Sequence, residues 1–444
     1  MSKTSRTPII STYNNNKEEQ LTFTLENCNV SIANAVRRII LSDINTYVFK
    51  TFPHAENRAN FTVNTTHQHN EILKQRLGCI PIHHVHTIDG FQNDYKNYVV
   101  EVDVKNDSDT IRYVTTEDFK VKRAKNIEKS DGSHDDDDVV YEYLPESTVR
   151  KIFPPDSVSG DYIEFARLLP KLSSNVPCGE ALAFTCTIEI SNAKFDGMYN
   201  VAHTCSYNCT PDEKEIEKQW KAKEKGLREG FESGSGSASA SSLSVSEQLA
   251  SAKKNWELLE AQRIFVPDSF DFVIETVGVY ANVQLVTKSC DIMIKKCEKL
   301  LADMEHSSSS GSGSGSSSGS GSGSSGNRSE AKEKVKNIIE PANELTTMKN
   351  AFCIHLMGED YTLGKAVEYL LFSNYYDKAD GVASFCGFKK PHPHSLDSFI
   401  VIAFKEETEL SKVQEYVSKV VVECVSIFKS LFESFNDFNS KKNK

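Results

Sequence analysis

Two segments that lie far apart in this chain share one layout of apolar and polar residues. Residues 31–42 read SIANAVRRIILS, and residues 362–373 read TLGKAVEYLLFS. Each segment opens with a hydroxyl residue that can cap a helix, and its apolar side chains recur at the spacing of an amphipathic helix. A short turn with an acid precedes each segment, at Glu26–Asn27 and at Glu359–Asp360. We therefore expect two equivalent helices, each with one broad face that must be buried.

The ends of the two halves repeat in the same way. An Asp-Ser-Phe sequence opens a strand-like run at Asp268 and again at Asp397, and a long run with apolar residues at helical spacing follows each strand. Each half is thus predicted to fold as helix, sheet and long helix. The simplest way to bury both apolar stripes is to pair the halves as an intramolecular pseudo-dimer. The predicted interface consists of Ile32, Val36, Ile39, Ile40, Leu363, Val367, Leu370, Leu371, Val417, Cys424 and Phe428.

The halves differ in the length of chain between the first helix and the closing strand. This length is several times greater in the first half, which is enough for an inserted domain of alternating strands. We predict an α+β fold in which helices pack on antiparallel sheets. The predicted parts are a first dimerisation domain at 1–82 and 191–305 with a charged, Ser-rich insert at 211–260, a β-rich inserted domain at 83–190, a linker at 306–329, and a second, smaller dimerisation domain at 330–444.

Three stretches have compositions that do not favour a packed core. Residues 306–326 are almost entirely Ser and Gly, which predicts a flexible linker with a root-mean-square reach of about 25 Å. Residues 211–246 combine a highly charged segment, interpreted as a polar helix or a disordered excursion, with a Ser-rich run. Residues 126–138 end in four aspartates and are interpreted as a solvated loop.

Composition narrows the classes of function. The 444 residues carry 51 Lys and Arg against 62 Asp and Glu, and this net charge of −11 is poorly suited to binding phosphates over a broad face. Contacts with nucleic acid are therefore expected to be local or made through partners. Because no apolar run reaches the length of a membrane span and the N-terminus is polar, we expect a soluble intracellular protein. The 11 scattered cysteines fit buried, reduced thiols better than a disulfide framework.

Several motifs of the first half carry a family resemblance. They are the helix at 31–44, RLGCIPI at 76–82, the run from AKFD to TCSY at 193–207, and FDFVIETVG at 270–278. Together they resemble the dimerisation domain of the RNA polymerase alpha-like subunits. That family includes bacterial alpha, its larger archaeal counterpart (the D type) and the third-largest subunit of eukaryotic RNA polymerase II.

The second half is similar to the small partner of these subunits. GEDYTLG at 358–364 and GFKKPHP at 387–393 resemble the smaller archaeal alpha-like protein (the L type) and the eleventh eukaryotic subunit. Both members in one chain resemble the fused subunit of some large DNA viruses. The location implied is the nucleus, or the host cytoplasm or virion if the chain is viral.

The resemblance implies a non-catalytic assembly subunit of a multisubunit DNA-directed RNA polymerase that functions in transcription. Its implied partners are the second-largest and largest subunits and the small zinc-bearing subunits, with only indirect association with DNA, no membrane and no cofactor. Arg37 and Arg38, on the polar side of the first helix, and Arg76 are the implied docking residues. Because the second segment has Glu368 and Tyr369 in place of Arg37 and Arg38, the two helices are chemically distinct.

Two other classes of function stay open. Many relatives hold a metal in a cysteine cluster of the inserted domain, but here no cysteine occurs between Cys79 and Cys178, so we predict no metal there. One alternative is a metal-dependent enzyme that uses the region His67–His86, where His84 and His86 could share one face of a strand. The other alternative is a stand-alone homodimeric interaction module, in which half pairs with half between chains.

Overall fold

The computed structural model describes residues 7–15, 20–84, 88, 91–125, 140–171, 179–233, 245–309, 338–342 and 347–442. Antiparallel sheets combine with helices in this part of the chain, which confirms the predicted α+β fold. The strands are β1 (Ile9–Asn15), β2 (Leu21–Glu26), β3 (Thr46–Phe49), β4 (Ala59–Asn64), β5 (Tyr98–Lys105), β6 (Arg112–Thr115), β7 (Lys120–Lys125), β8 (Val140–Tyr143), β9 (Glu164–Leu168), β10 (Ala181–Ser191), β11 (Ala202–Pro211), β12 (Phe265–Thr276), β13 (Ile339–Pro341), β14 (Ala351–Leu356), β15 (Ala383–Lys389) and β16 (Ser398–Phe404). The helices are α1 (Val30–Ser42), α2 (Asn70–Gly78), α3 (Phe91–Asp94), α4 (Glu146–Ile152), α5 (Glu213–Ser233), α6 (Val245–Leu258), α7 (Asn282–Ser309), α8 (Tyr361–Leu371) and α9 (Leu410–Lys442).

The strands of the described residues form four sheets. One sheet has the order β1-β2-β12-β11, a second has the order β3-β10-β5-β7-β8 with β4 also paired to β10, a third has the order β13-β14-β16-β15, and β6 pairs with β9. None of the helices in this part of the chain combines the length and the apolar character needed to cross a membrane. Most of the predicted Gly/Ser linker, the four aspartates and most of the Ser-rich run lie outside the described residues.

The chain divides into two compact units. Unit 1 comprises residues 1–38, 205–274 and 290–444, and unit 2 comprises residues 39–204 and 275–289. The predicted inserted domain falls inside unit 2, whereas unit 1 contains elements from both halves of the chain. Helices α1 and α7 each contribute residues to both units.

Helices α1 and α8 start in the same way, but the caps are not the hydroxyl residues expected from the sequence. The side-chain oxygen of Asn29 accepts a hydrogen bond of 2.9 Å from the backbone N–H of Ser31. Asp360 is the N-cap of α8, and its Oδ1 accepts a bond of 2.9 Å from the N–H of Thr362. The expected capping role of Ser31 and Thr362 was therefore wrong by two positions, because Asn and Asp occupy the position from which a side chain reaches the free N–H groups of the first turn.

The turns before the two helices also repeat, in a different register from the one that the acids suggested. Asn27 has φ 58° and Gly358 has φ 68°, and each lies two residues before its cap. Gly and Asn are the residues that adopt this left-handed conformation most readily. The structural match therefore pairs Asn27 with Gly358, and the pairing of Glu26–Asn27 with Glu359–Asp360 was wrong by two residues.

An aromatic cluster in unit 1 joins the last helix to the first sheet. Phe23 of β2 stacks on Phe272 of β12 at 4.9 Å with an interplanar angle of 4°. Phe435 of α9 meets the ring of Phe23 edge-on at 4.9 Å, and Phe438 stacks on Tyr13 of β1 at 5.0 Å. The C-terminal end of the second half thus packs on a sheet of the first half.

The charged insert is helical in its described residues. Helices α5 and α6 pack through Trp220 and Trp256, whose ring centroids are 6.1 Å apart. Lys223 lies 4.8 Å from the ring centroid of Trp256 and pairs with Glu260 at 2.6 Å. The polar-helix interpretation therefore describes this segment, and a small apolar contact holds the two helices together.

We predict that Phe435→Ala lowers the free energy of unfolding of unit 1 by about 3–5 kcal/mol, because it deletes a buried ring that contacts Phe23. Asp437→Ala, two residues along the same helix and exposed, is the matched control and should change it by less than about 0.5 kcal/mol. Urea unfolding, monitored by the near-ultraviolet circular dichroism of the aromatic side chains, measures the free energy of unfolding of both variants. Equal losses in the two variants would contradict the packing described.

Candidate assembly interface

The turn before α8 presents two successive carboxylates to cations of the first half. Lys296 Nζ of α7 lies 2.7 Å from Glu359 Oε2. Arg38 Nη2 of α1 lies 2.7 Å from Asp360 Oδ2. All four residues belong to unit 1, so two ion pairs join the halves of the chain within that unit.

Arg38 binds the capping residue of α8 and not merely a nearby acid. Its Nε donates a hydrogen bond of 2.9 Å to Thr362 Oγ1 while its Nη2 donates to Asp360. Asp360 uses its other oxygen to cap the helix through the N–H of Thr362. The positive end of the helix dipole and the guanidinium therefore stabilise the same carboxylate. The side chains of Arg38 and Asp360 are 32% and 21% exposed, so solvent screens this pair only in part.

The Lys296–Glu359 pair is more deeply buried. The two side chains are 14% and 15% exposed. The backbone carbonyl of Glu359 also accepts a hydrogen bond of 2.8 Å from Ser398 Oγ, which fixes the turn on β16. Since burial adds a desolvation cost to each charge, the pair fixes orientation more than it adds net stability, and the loss of one partner leaves an unpaired charge.

The Arg38–Asp360 ion pair follows from residues that differ between the two copies of the repeat. The register that aligns the two caps places Tyr369 at the position of Arg38, and Asn29 at the position of Asp360. Neither Tyr369 nor Asn29 carries a charge at neutral pH. Two copies of the first half could not form the Arg38–Asp360 contact, and neither could two copies of the second half. The contact therefore discriminates in favour of pairing between unlike halves.

Two buried thiols meet where the long helices of the two halves come together. The side chain of Cys297 on α7 hydrogen-bonds the thiol of Cys424 on α9, and this bond, together with burial, raises the pKa of Cys424 well above its ordinary value. Both cysteines are fully buried and are free thiols. Cys424 is one of the eleven residues predicted for the pairing interface, and all eleven are buried.

Comparison with known proteins identifies the family. The RNA polymerase Rpb3/Rpb11 dimerisation domain matches residues 22–297, more than half of the chain. The chain belongs to this family. The matched region contains Arg38 and Lys296, whereas Glu359 and Asp360 lie in the second half, beyond it.

Two known proteins are similar to this chain in sequence. The chain is 23% identical over 309 residues to DNA-directed RNA polymerases I and III subunit RPAC1 of Bos taurus, a match that covers 65% of the chain and 82% of the bovine protein. It is 25% identical over 210 residues to the conjugation stage-specific protein of Tetrahymena thermophila, a match that covers 45% of the chain. The chain spans 59% of the length of the Tetrahymena protein.

The other two arginines predicted to dock a partner have different surroundings in this family member. Arg37 Nε and Nη2 donate to Asn34 Oδ1 of the same helix at 3.0 and 2.9 Å. Arg76 Nε donates to the carbonyl of Phe165 at 2.7 Å and its Nη2 donates to the carbonyl of Glu164 at 2.8 Å, so it ties α2 to β9 in unit 2. Docking of another subunit by these arginines stays a prediction.

The residues that sequence reasoning missed are Lys296, Glu359 and Asp360 as ion-pair partners. Glu359–Asp360 was noticed as an acidic turn, and an Asp just before an amphipathic helix is a typical cap signal. Nothing in the local sequence indicates that Arg38, more than 300 positions away, binds that cap. The function predicted for Arg38 was an external contact, whereas the structure gives it internal partners.

The histidine-rich region does not come together as a group in the described residues. His83 Nδ1 donates a hydrogen bond of 3.1 Å to the carbonyl of Gly278, and burial lowers the pKa of its imidazole. His67 and His69 line an open surface groove, and His86 lies outside the described residues. The described residues hold no group of three or more His, Cys, Asp and Glu side chains that could hold a metal ion.

We predict an interaction free energy of about 1 kcal/mol between Arg38 and Asp360, because the pair is charge-assisted but partly exposed. A double-mutant cycle of Arg38→Ala and Asp360→Asn, read out by urea unfolding, measures it. The matched control is Arg37→Ala combined with Asp360→Asn, since Arg37 bonds within its own helix. Coupling that is equally large for Arg37 would contradict the specific role of Arg38.

Proposed function

We propose that this member of the Rpb3/Rpb11 dimerisation family is a non-catalytic assembly subunit of a multisubunit DNA-directed RNA polymerase, and that its two halves form the alpha-like pair within one chain. The observation that carries this proposal is the one-sided set of contacts from Arg38 and Lys296 to the turn before α8. Such contacts favour a pair of unlike halves, which is what a scaffold for two different large subunits requires.

The covalent connection between the halves supports pairing within the chain. A covalent connection of this length raises the effective concentration of one half near the other to about the millimolar range. Even a weak intrinsic affinity would then keep the halves together. The same contacts made between two chains would have to overcome this advantage.

Of the three arginines, we assign the docking of the second-largest polymerase subunit to Arg37 rather than to Arg38 or Arg76. Arg38 is bound to Asp360, and Arg76 to two backbone carbonyls. Within the described residues Arg37 contacts the neutral side chain of Asn34 and forms no ion pair. Its charge therefore has no acidic partner in that part of the chain, and a carboxylate of another subunit could provide one. The largest subunit and the small zinc-bearing subunits are the further proposed partners.

Affinity purification of the intact chain from its native source, followed by mass spectrometry, tests this function. We predict two stoichiometric partners with the sequences of polymerase large subunits, and each of them should bury an interface of at least standard size on the scaffold. Arg37→Glu should reduce recovery of the second-largest subunit by about tenfold, because it places a like charge opposite a carboxylate.

The control for this experiment is Arg228→Glu. Arg228 lies exposed on α5, where it pairs with Glu224 of its own helix, and we expect its replacement to leave recovery unchanged. Recovery of the wild-type chain alone, or only as self-pairs, would contradict the assembly role. Equal recovery with Arg37→Glu and Arg228→Glu would contradict the docking assignment alone.

A further inference from the structure

The outer strand of the six-stranded sheet in unit 2 has a free edge in the described residues. Strand β8 pairs with β7 on one side only, and the N–H of Leu144 extends this ladder with a bond of 2.8 Å to the carbonyl of Val121. All four residues of β8 are exposed, with Tyr141 and Tyr143 at 45% and 54%. Of the residues that often protect an edge from pairing, the strand carries one charged side chain, Glu142, and neither a lysine nor a proline.

A cavity of about 510 Å³ lies at the C-terminal end of this edge strand. Its apolar lining comes from Phe119, Leu144, Val149 and Phe153, and Tyr143 reaches it from β8. Helix α4, which supplies Val149, closes one side. The volume lies within the range of ordinary ligand pockets and can hold a large aromatic or aliphatic side chain.

The charged groups around the cavity balance one another. Arg150 lies 2.7 Å from Glu146 and 4.0 Å from Glu117, and Lys120 is the remaining charged residue of the lining. Two acids therefore face two cations. This balance favours an uncharged side chain as the occupant of the cavity.

The cations of β7, beside β8, are also engaged. Lys122 pairs with Glu101 at 2.9 Å, and Arg123 pairs with Asp94 at 2.7 Å. A single-stranded nucleic acid would need such cations for its phosphates, although the two tyrosines alone could stack with bases. The free edge, the apolar floor and the paired cations together favour a polypeptide.

We propose that β8 and this cavity form a docking site for an extended protein segment, which adds to the sheet as a further strand and places one large, uncharged apolar side chain in the cavity. The backbone pairing would provide affinity, and the cavity would select the side chain. This site is separate from the proposed pairing of the halves and does not depend on it.

A phage-displayed library of random ten-residue peptides, selected on the intact chain, tests the site. We expect enriched peptides to contain a large apolar residue and to protect the amides of Tyr141 and Tyr143 from hydrogen exchange, because these two residues alternate along the strand with Leu144, whose N–H already bonds β7. Val149→Phe, which fills the cavity, and Tyr141→Lys, which places a charge on the edge, should each weaken binding of a synthetic enriched peptide by about tenfold.

Tyr113→Lys is the matched control, because Tyr113 is a 52% exposed tyrosine of β6 outside the cavity lining. It should leave peptide binding unchanged. The proposal would be overturned if the library enriched no peptide. It would also be overturned if Val149→Phe and Tyr141→Lys left the binding of the enriched peptides unchanged. Binding of a twelve-residue oligothymidylate that is tighter than binding of the synthetic peptide, and that Tyr141→Ala abolishes, would overturn the proposal in favour of a nucleic-acid platform.

Discussion

The contact between the guanidinium of Arg38 and the cap of α8 is the interaction on which the proposed pairing depends most directly. Asp360 is at once the residue that starts a helix of the second half and the anion that a helix of the first half binds. Its counterpart Asn29 starts the equivalent helix of the first half without a charge. The two helices therefore start with the same kind of turn and cap but carry different charges there. This difference favours pairing of the first half with the second half over pairing of two identical halves.

The features that could be predicted from the sequence are those that depend on the spacing of apolar residues within a short segment. The helical period of apolar residues located α1, α8 and the two long helices, and the eleven residues that it placed in the predicted interface are all buried. The motifs of the first half led to the family that the comparison shows. The positions of these helices could be predicted because burial of an amphipathic stripe is decided within a few turns of one helix, whereas the pairing interface stays a prediction.

The features that could not be predicted depend on residues far apart in the chain or on turn conformation. The pairing of Lys296 with Glu359 joins two segments whose local sequences carry no sign of each other. The match between Asn27 and Gly358 becomes visible only from the left-handed backbone that both adopt. Arg38 illustrates the same limit, because an arginine on the polar face of a helix indicates an external contact until its internal partner is placed.

The most direct test of the account is to cut the chain once, at a protease site placed within the Gly/Ser stretch at 306–326, and to measure the sedimentation mass of the product. We predict one species with the mass of a single chain, in which Cys297 and Cys424 stay protected from a maleimide reagent because the two buried thiols contact each other where the halves pair. Separation into two fragments, or like fragments that pair with each other, would contradict it.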